Sequence, residues 1–334
     1  MIGEIQPIFF KISSECGVFF LKIAILGAGA IGCFFGGLLA KENCDVTFIA
    51  KRRTLKRLEQ HDLIVKSIRG DFALPVPVLD AAKLEGPFDF DLIVLAVKST
   101  ALEEVIPQIQ QLAGEDTKII CLLNGIGNEE RLTEVFGSKR IVGGSAFISV
   151  IREAPGIVNH VGEGTLILGE WQNEADSELL NELAAKFKAA GIRIQINPNI
   201  RQIKWEKLLW NITYNPLTAL TGTRVGEVLT DPNLREILET VKKEYLQVAQ
   251  SAGIVIGSDY IDALLLPNKE VQNHKTSMLQ DFEAGREMEL EAILGFVVET
   301  AEHQQVPVPT IKTLYHLLTF AQRKSALEHS PVID

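Results

Sequence analysis

The segment that most constrains this chain is Leu21–Gly32, LKIAILGAGAIG. Six residues of apolar, β-branched-rich character run directly into Gly27-Ala28-Gly29-Ala30-Ile31-Gly32, and a helical period follows at once. A strand–turn–helix with this glycine spacing can do little else than open a βαβ unit. Gly27 permits the tight turn and Gly29 lets a pyrophosphate approach the backbone. Gly32 allows the helix to pack on its strand, and the helix N-terminus offers amide donors to phosphate. All six residues, Gly27, Ala28, Gly29, Ala30, Ile31 and Gly32, are therefore read as dinucleotide contacts.

The rest of the first 197 residues alternates strand and helix. Helix Ala28–Lys41 is followed by strands at Asp45–Ala50, Leu63–Lys66, Phe72–Val78 and Asp91–Val97. Helix Thr100–Ala113, strand Lys118–Leu123 and helix Asn128–Phe136 come next. Three β runs at 140–151, 156–161 and 165–169, helix Ser177–Ala190 and strand Ile192–Ile196 complete the series. Asp91–Val97 is a continuous apolar run, as in a parallel strand covered on both faces. This alternation predicts an α/β fold, a Rossmann doubly wound sheet, with the 140–169 strands as an antiparallel extension. The pattern changes at Asn197-Pro198-Asn199. Beyond it only helices are expected, at 200–220, 231–252, 259–266, 277–304 and 310–326. The expected division is an N-terminal extension at 1–20, a nucleotide-binding domain at 21–197 and an all-helical C-terminal domain at 198–334.

Composition excludes several function classes. With 33 basic and 43 acidic residues the formal charge is −10, which argues against a nucleic-acid or anionic-membrane surface. Val18–Ala40 is apolar enough to suggest a membrane span, but its glycine cluster divides it into strand and helix. The cysteines at 16, 33, 44 and 121 form no C-x-x-C pair and read as reduced thiols, so a cytoplasmic location is expected. The six histidines show no ligand spacing, and no metal is expected.

Several polar residues stand where chemistry is expected. The second strand ends in Ile49-Ala50 and, instead of an acidic residue for a ribose hydroxyl, meets Lys51-Arg52-Arg53. Those cations suit a 2′-phosphate, hence NADP, although they also suit a solvated helix start. Lys98, in Val97-Lys98-Ser99-Thr100, and Asn124, in Leu123-Asn124-Gly125, follow successive strands. They face the crevice where open α/β sheets bind ligands. In the helical half, Lys207, Asn211 and Asn215 share one helix face at i, i+4 and i+8 and can together hold a carboxylate or carbonyl. Pro216 is expected to kink that helix at Asn215. Ser277 could cap the long last helix, with Glu289 three turns inside it.

Taken in order, GAGAIG, VKST, LNGIGNEE, WEKLLWNITYNPLTAL and TSMLQDFEAGREMELE resemble the ketopantoate reductase (2-dehydropantoate 2-reductase) family over residues 21–326. The resemblance implies NADPH as hydride donor and a small-molecule 2-keto acid substrate reduced to its 2-hydroxy acid. It implies Lys207 as proton donor. Asn124, Lys207, Asn211, Asn215 and Ser277 would be substrate contacts. Lys51, Lys98, Asn124, Ser149 and Glu289 would be cofactor contacts. A homodimer is among the allowed states. The alternatives are a related NADP-dependent 2-keto acid or opine-type reductase, and a non-catalytic NADP sensor. One departure bears on substrate: Val225 stands where members often carry an asparagine that contacts it, and Val225→Asn is expected to improve KM if the loop geometry is that of the family. His274 also replaces an asparagine of some members. Family members begin near Leu21, so residues 1–20 read as an upstream addition. Deleting them is expected to leave activity and melting temperature nearly unchanged; a truncated protein that does not fold would refute this.

Overall fold

The computed structural model describes residues 21–172, 178–265 and 269–328; the expected 1–20 extension lies outside them. The first half supplies strands β1 (Lys22–Leu26), β2 (Asp45–Ala50), β3 (Leu63–Ser67), β4 (Phe72–Leu74), β5 (Val78–Asp80), β6 (Phe90–Leu95), β7 (Ala113–Cys121), β8 (Ile141–Ala154), β9 (Ile157–Glu170) and β10 (Arg193–Ile196). Its helices are α1 (Ala30–Lys41), α2 (Arg52–Gln60), α3 (Leu102–Leu112), α4 (Asn128–Phe136) and α5 (Glu178–Ala189). The second half is helical: α6 (Ile200–Thr221), α7 (Val225–Thr230), α8 (Pro232–Ser251), α9 (Ser258–Leu265), α10 (Lys269–Gln272), α11 (Ser277–Glu283), α12 (Phe296–His303) and α13 (Pro309–Glu328).

Ten strands form one sheet in the order β4-β3-β9-β8-β7-β6-β1-β2-β5, with β10 against the far side of β9. From β5 to β8 every neighbour is parallel, which is the doubly wound order about β1. The last four residues of β1 and of β6 are fully or almost fully buried, because helices cover both faces of the sheet. Register then places the site. Leu26 pairs with Leu95, and Leu95 with Cys121. The segments that follow, Gly27–Gly32, Ala96–Lys98 and Leu122–Asn124, therefore emerge side by side along one carboxyl edge.

The structure departs from the sequence expectations in several places. Phe72–Val78 is not one strand: β4 and β5 lie at opposite edges of the sheet. The three β runs over 140–169 are two long strands, β8 and β9, antiparallel to each other, while β8 is parallel to β7 and β9 to β3. Lys51-Arg52-Arg53 does lead into a helix, α2. α6 shows no break at Pro216 and continues to Thr221. Asn215, Pro216 and Leu217 are all buried there, so tertiary packing holds the turn that has lost an amide donor. Finally, 277–304 is not one helix. α11 ends at Glu283, Gly285 takes φ +60°, and Arg286 folds back, its amide donating to the Asp281 carbonyl at 2.8 Å and its Nε to Asp281 Oδ1 at 2.9 Å. A π-helical turn, Glu291–Gly295, then leads into α12. Glu289 thus sits in a connection, not three turns into a helix. The residue capping α11 is Thr276, whose Oγ1 accepts from the Leu279 amide; Ser277 is exposed beside it.

The helical half has its own core, around Trp205, Tyr214 and Tyr245, with the Tyr245 hydroxyl donating to the Trp205 carbonyl at 2.7 Å. Glu244, buried in α8, accepts from the amides of Thr310 and Ile311 and so fixes the first turn of α13. Val225 belongs to this core and is 0% exposed. Its side chain packs on apolar neighbours, which removes the basis for expecting an asparagine there to tighten substrate binding. Val225→Asn is instead expected to cost about 1–3 kcal/mol of stability through a buried amide without partners, measured as a shift in the urea midpoint at unchanged m-value.

Candidate active site

Three parts of the chain build the site: the carboxyl edge of the sheet, the middle of α6, and the connection between α11 and the π-helical turn. At the edge, Gly27 takes φ +112°, and a Cβ there would lie 2.7 Å from the Ala96 and Val97 backbone. A Cβ on Gly32 would lie 2.0 Å from the Gly27 carbonyl oxygen. Both glycines are thus required by close approach. Gly29 differs: the one atom within 4 Å of its Cβ position is the Ala96 oxygen, at 3.9 Å. Gly29 is the N-cap of α1, makes no side-chain cap bond, and no acid follows in the first turn. The open space, the uncapped amides and the absence of negative charge fit the pyrophosphate of a dinucleotide.

The next two strand ends carry Lys98 and Asn124, and both meet the helical half. Lys98 Nζ donates to the Glu287 carbonyl at 2.8 Å and pairs with Asp281 Oδ2 at 2.8 Å. The Ser99 amide donates to Glu289 Oε1 at 2.9 Å. Asn124 Nδ2 donates to Glu289 Oε2 at 3.2 Å, and Asn124 Oδ1 accepts from Lys207 Nζ at 3.2 Å. Lys207 Nζ also donates to the Ala146 carbonyl on β8 at 2.8 Å and lies 5.7 Å from the centre of the Phe147 ring. The structure therefore joins Asn124, Lys207 and Glu289 in one network, and Lys98 bonds the same connection through Glu287 and Asp281. Asn211 adds its side chain to a cavity of about 10 Å³, room for one water, that Asn124, Ser145, Lys204 and Lys207 also line.

Asn215 lies one further turn along α6, 2% exposed, and its Nδ2 has no hydrogen-bond partner among the described residues. Thr218 links this turn to α11, since its Oγ1 is 2.7 Å from Thr276 Oγ1, next to Ser277. Ser149 is on β8, half-buried, three residues beyond Ala146. Lys51 stands at the other end of the edge, where its ammonium bonds Glu104 Oε1 of α3 at 2.5 Å. Arg52 beside it takes φ +54°.

Sequence reasoning did not place Asp281, the Ala146 carbonyl or Ser145 in the site. Asp281 reads as part of a solvated helix face until the chain turns at Gly285. A backbone carbonyl has no sequence signal. Ser145, 2% exposed with an Oγ that has no partner among the described residues, lies in an apolar strand and could have been marked by that alone. No cluster of three or more potential metal ligands occurs among the described residues, and no helix among them is long and apolar enough to cross a membrane.

A dinucleotide turn, a lysine and a carboxylate converging on one amide, and a helical second half define a nicotinamide-type oxidoreductase. The chain belongs to the ketopantoate reductase family: residues 23–173 match the family described as Ketopantoate reductase PanE/ApbA, and residues 199–322 match its C-terminal part. A 2-dehydropantoate 2-reductase of Nostoc sp. is 32% identical over 305 residues, covering 90% of this chain and 94% of that one. The crystal structure of 2-dehydropantoate 2-reductase from Geobacter metallireducens is 35% identical, with a TM-score of 0.84, covering 90% of this chain and 100% of that one. D-mandelate dehydrogenase, solved with NADH and anilino(oxo)acetate, has the same TM-score of 0.84 at 26% identity, covering 91% of this chain and 99% of that one.

The network depends on a close contact between its parts. Gly125 takes φ +82°, and a Cβ there would lie 2.2 Å from the Ala292 carbonyl oxygen, which accepts from the Ile126 amide at 3.0 Å. Gly125→Ala is expected to push the π-helical turn away and separate Asn124 from Glu289. kcat/KM should fall about tenfold or more; unchanged steady-state kinetics would refute the assignment of this contact.

Proposed function

We propose that the chain reduces 2-dehydropantoate (ketopantoate) to pantoate with NADPH, a cytoplasmic step of pantothenate and coenzyme A synthesis. The observation that carries this reading is the convergence of Lys207 and Glu289 on Asn124 at the carboxyl edge of the sheet. NADPH, when bound, supplies the hydride. The residues present fit it: the open turn at Gly29 suits the pyrophosphate, and the edge of the sheet beyond β2 ends in three cations with no acid among them.

Lys207 donates a proton from Nζ to the keto oxygen as negative charge grows on it. The Ala146 carbonyl and Asn124 Oδ1 hold that ammonium in place, so little reorganisation is needed at the moment of transfer. Asn124 orients Lys207 and touches both cofactor and substrate. Glu289, held by the Ser99 amide, keeps the Asn124 side chain from flipping and marks the cofactor end of the site. Asn211 and the unpartnered Nδ2 of Asn215 offer donors to the substrate carboxylate. Ser277, exposed at the start of α11 and next to the Thr276 that meets Thr218 of α6, is assigned to the substrate as well. Lys98 reaches the cofactor by exchanging its bonds to Asp281 and Glu287, and Ser149 adds a contact from β8. Lys51 exchanges Glu104 for the 2′-phosphate.

A second reading, a reductase of another 2-keto acid, is favoured by D-mandelate dehydrogenase, which has the same TM-score of 0.84 at the lower identity of 26%. A panel of 2-keto acids with NADPH separates the two. Growth without pantothenate of a cell lacking its own ketopantoate reductase is the expected result. Failure to restore growth, together with another 2-keto acid reduced about a hundredfold more efficiently, a difference of roughly 2.7 kcal/mol in transition-state binding, would assign the second.

Lys207→Ala is expected to lower kcat by about 10²-fold or more with NADPH affinity nearly intact, read by stopped-flow turnover and by quenching of protein fluorescence. Normal turnover would end the assignment. NADPH should be preferred over NADH about tenfold or more in kcat/KM, since one charge-assisted bond to the phosphate contributes roughly 1.5–3 kcal/mol. Equal efficiency with both cofactors would overturn the assignment of Lys51.

A further inference from the structure

A second lysine lies immediately behind Lys207. Lys204 is one turn earlier on the same face of α6, 4% exposed, and lines the same cavity. Its Nζ donates to the Leu123 carbonyl at 3.2 Å and forms an ion pair with Glu129 Oε1 of α4, a residue that is 0% exposed. Leu123 is the residue before Asn124. Asn128, next to Glu129, donates from Nδ2 to the Asn124 carbonyl at 3.0 Å. The connection between β7 and α4 that presents Asn124 is thus gripped at Leu123 by Lys204 and at Asn124 by α4.

Two charges in so dry a place need a reason. Burial works against the Lys204 ammonium, but the Glu129 carboxylate, the Cys121 thiol and the Glu130 carboxyl together raise its titration above that of an ordinary lysine. Burial, and then the Glu129 charge, raise the neighbouring Glu130 carboxyl, and burial raises the Cys121 thiol below the pair. A buried pair seldom adds net stability over apolar residues of the same size, so stability alone does not account for it.

We propose that the Lys204–Glu129 ion pair is a positioning element that sets Asn124 against Lys207 across the junction of the two halves. The inference rests on the reading of Lys207 as proton donor. Lys204 anchors the turn by its bond to Leu123, and Glu129 neutralises it, so that Lys207 does not face a bare second cation. The other charges toward this end of α6 are Glu289 in the connection after α11, Glu130 on α4, Arg201 on α6, and the Lys98–Asp281 pair beyond Glu289. Removing the Glu129 charge leaves Lys204 without its ion-pair partner. A nearby cation disfavours the protonated form of Lys207. The fraction of enzyme with a proton to donate is then lost at lower pH, and the basic limb of the activity profile moves down.

The test uses three variants of the full chain. Lys204→Met with Glu129→Met replaces the pair by apolar chains of similar length. It should keep the melting temperature near that of the parent and bind NADPH within about threefold, yet lose about tenfold or more in kcat, the cost of a mobile Asn124 turn. Glu129→Gln should move the basic limb of kcat/KM to lower pH by about half a unit or more. Lys204→Arg, which keeps the charge and the donor, should restore most of the lost kcat. A double variant turning over within about twofold of the parent overturns the proposal, as does a Glu129→Gln profile unmoved from the parent's. A parent that does not reduce ketopantoate refutes the substrate reading alone. The variants are then read on the NMR signal of nitrogen-15-labelled Lys207 Nζ, whose titration Glu129→Gln displaces downward if the proposal holds and leaves in place if it fails.

Discussion

The site depends on how one side-chain amide divides its two ends. Asn124 gives its oxygen to the ammonium of Lys207 and its nitrogen to the carboxylate of Glu289. A carboxylate would set like charge against Glu289, and an apolar side chain would bond neither charge. The amide comes from the sheet and both charges come from the helical half. The two halves are therefore joined at the point where the reaction is assigned. Since Lys98 and Ser99 add two further bonds to the same connection, a shift of one half against the other would disturb every polar group in the site together.

Much of this was legible in the sequence, for reasons of period and position. The glycine turn and the continuous apolar runs of β1 and β6 point to a doubly wound parallel sheet. Once strands end in register, residues just past their ends must share an edge. This is why Lys98 and Asn124 could be placed beside the glycine turn before any coordinates. Lys207, Asn211 and Asn215 could be placed together because i, i+4 and i+8 is a geometric statement.

What stayed hidden was decided by contacts rather than by period. Pro216 and Asn215 read locally as a kink, yet both are buried and the packing of α6 overrides the missing amide. The break after Glu283 carries no proline, and apolar residues recur through it at spacings a helix would also use. Only Gly285 and the return of Arg286 onto Asp281 end the helix. Val225 looked like a lost substrate contact until its place in the core was seen. Nothing in sequence spacing links Lys204 to Glu129, 75 positions away.

The π-helical turn at Glu291–Gly295 has a consequence for how this segment can change over generations. A π turn holds one residue more than the α turn it replaces. That extra residue sets the phase at which the Ala292 carbonyl meets Ile126 and Glu289 meets Asn124. Deleting a single codon here would restore an ordinary helix and rotate what precedes it by about 100°, carrying the carboxylate off the amide without altering any residue of the site. The stretch can absorb substitutions that keep its volume, but its length is held fixed, and drift in length should collect in the surface loops of the helical half instead.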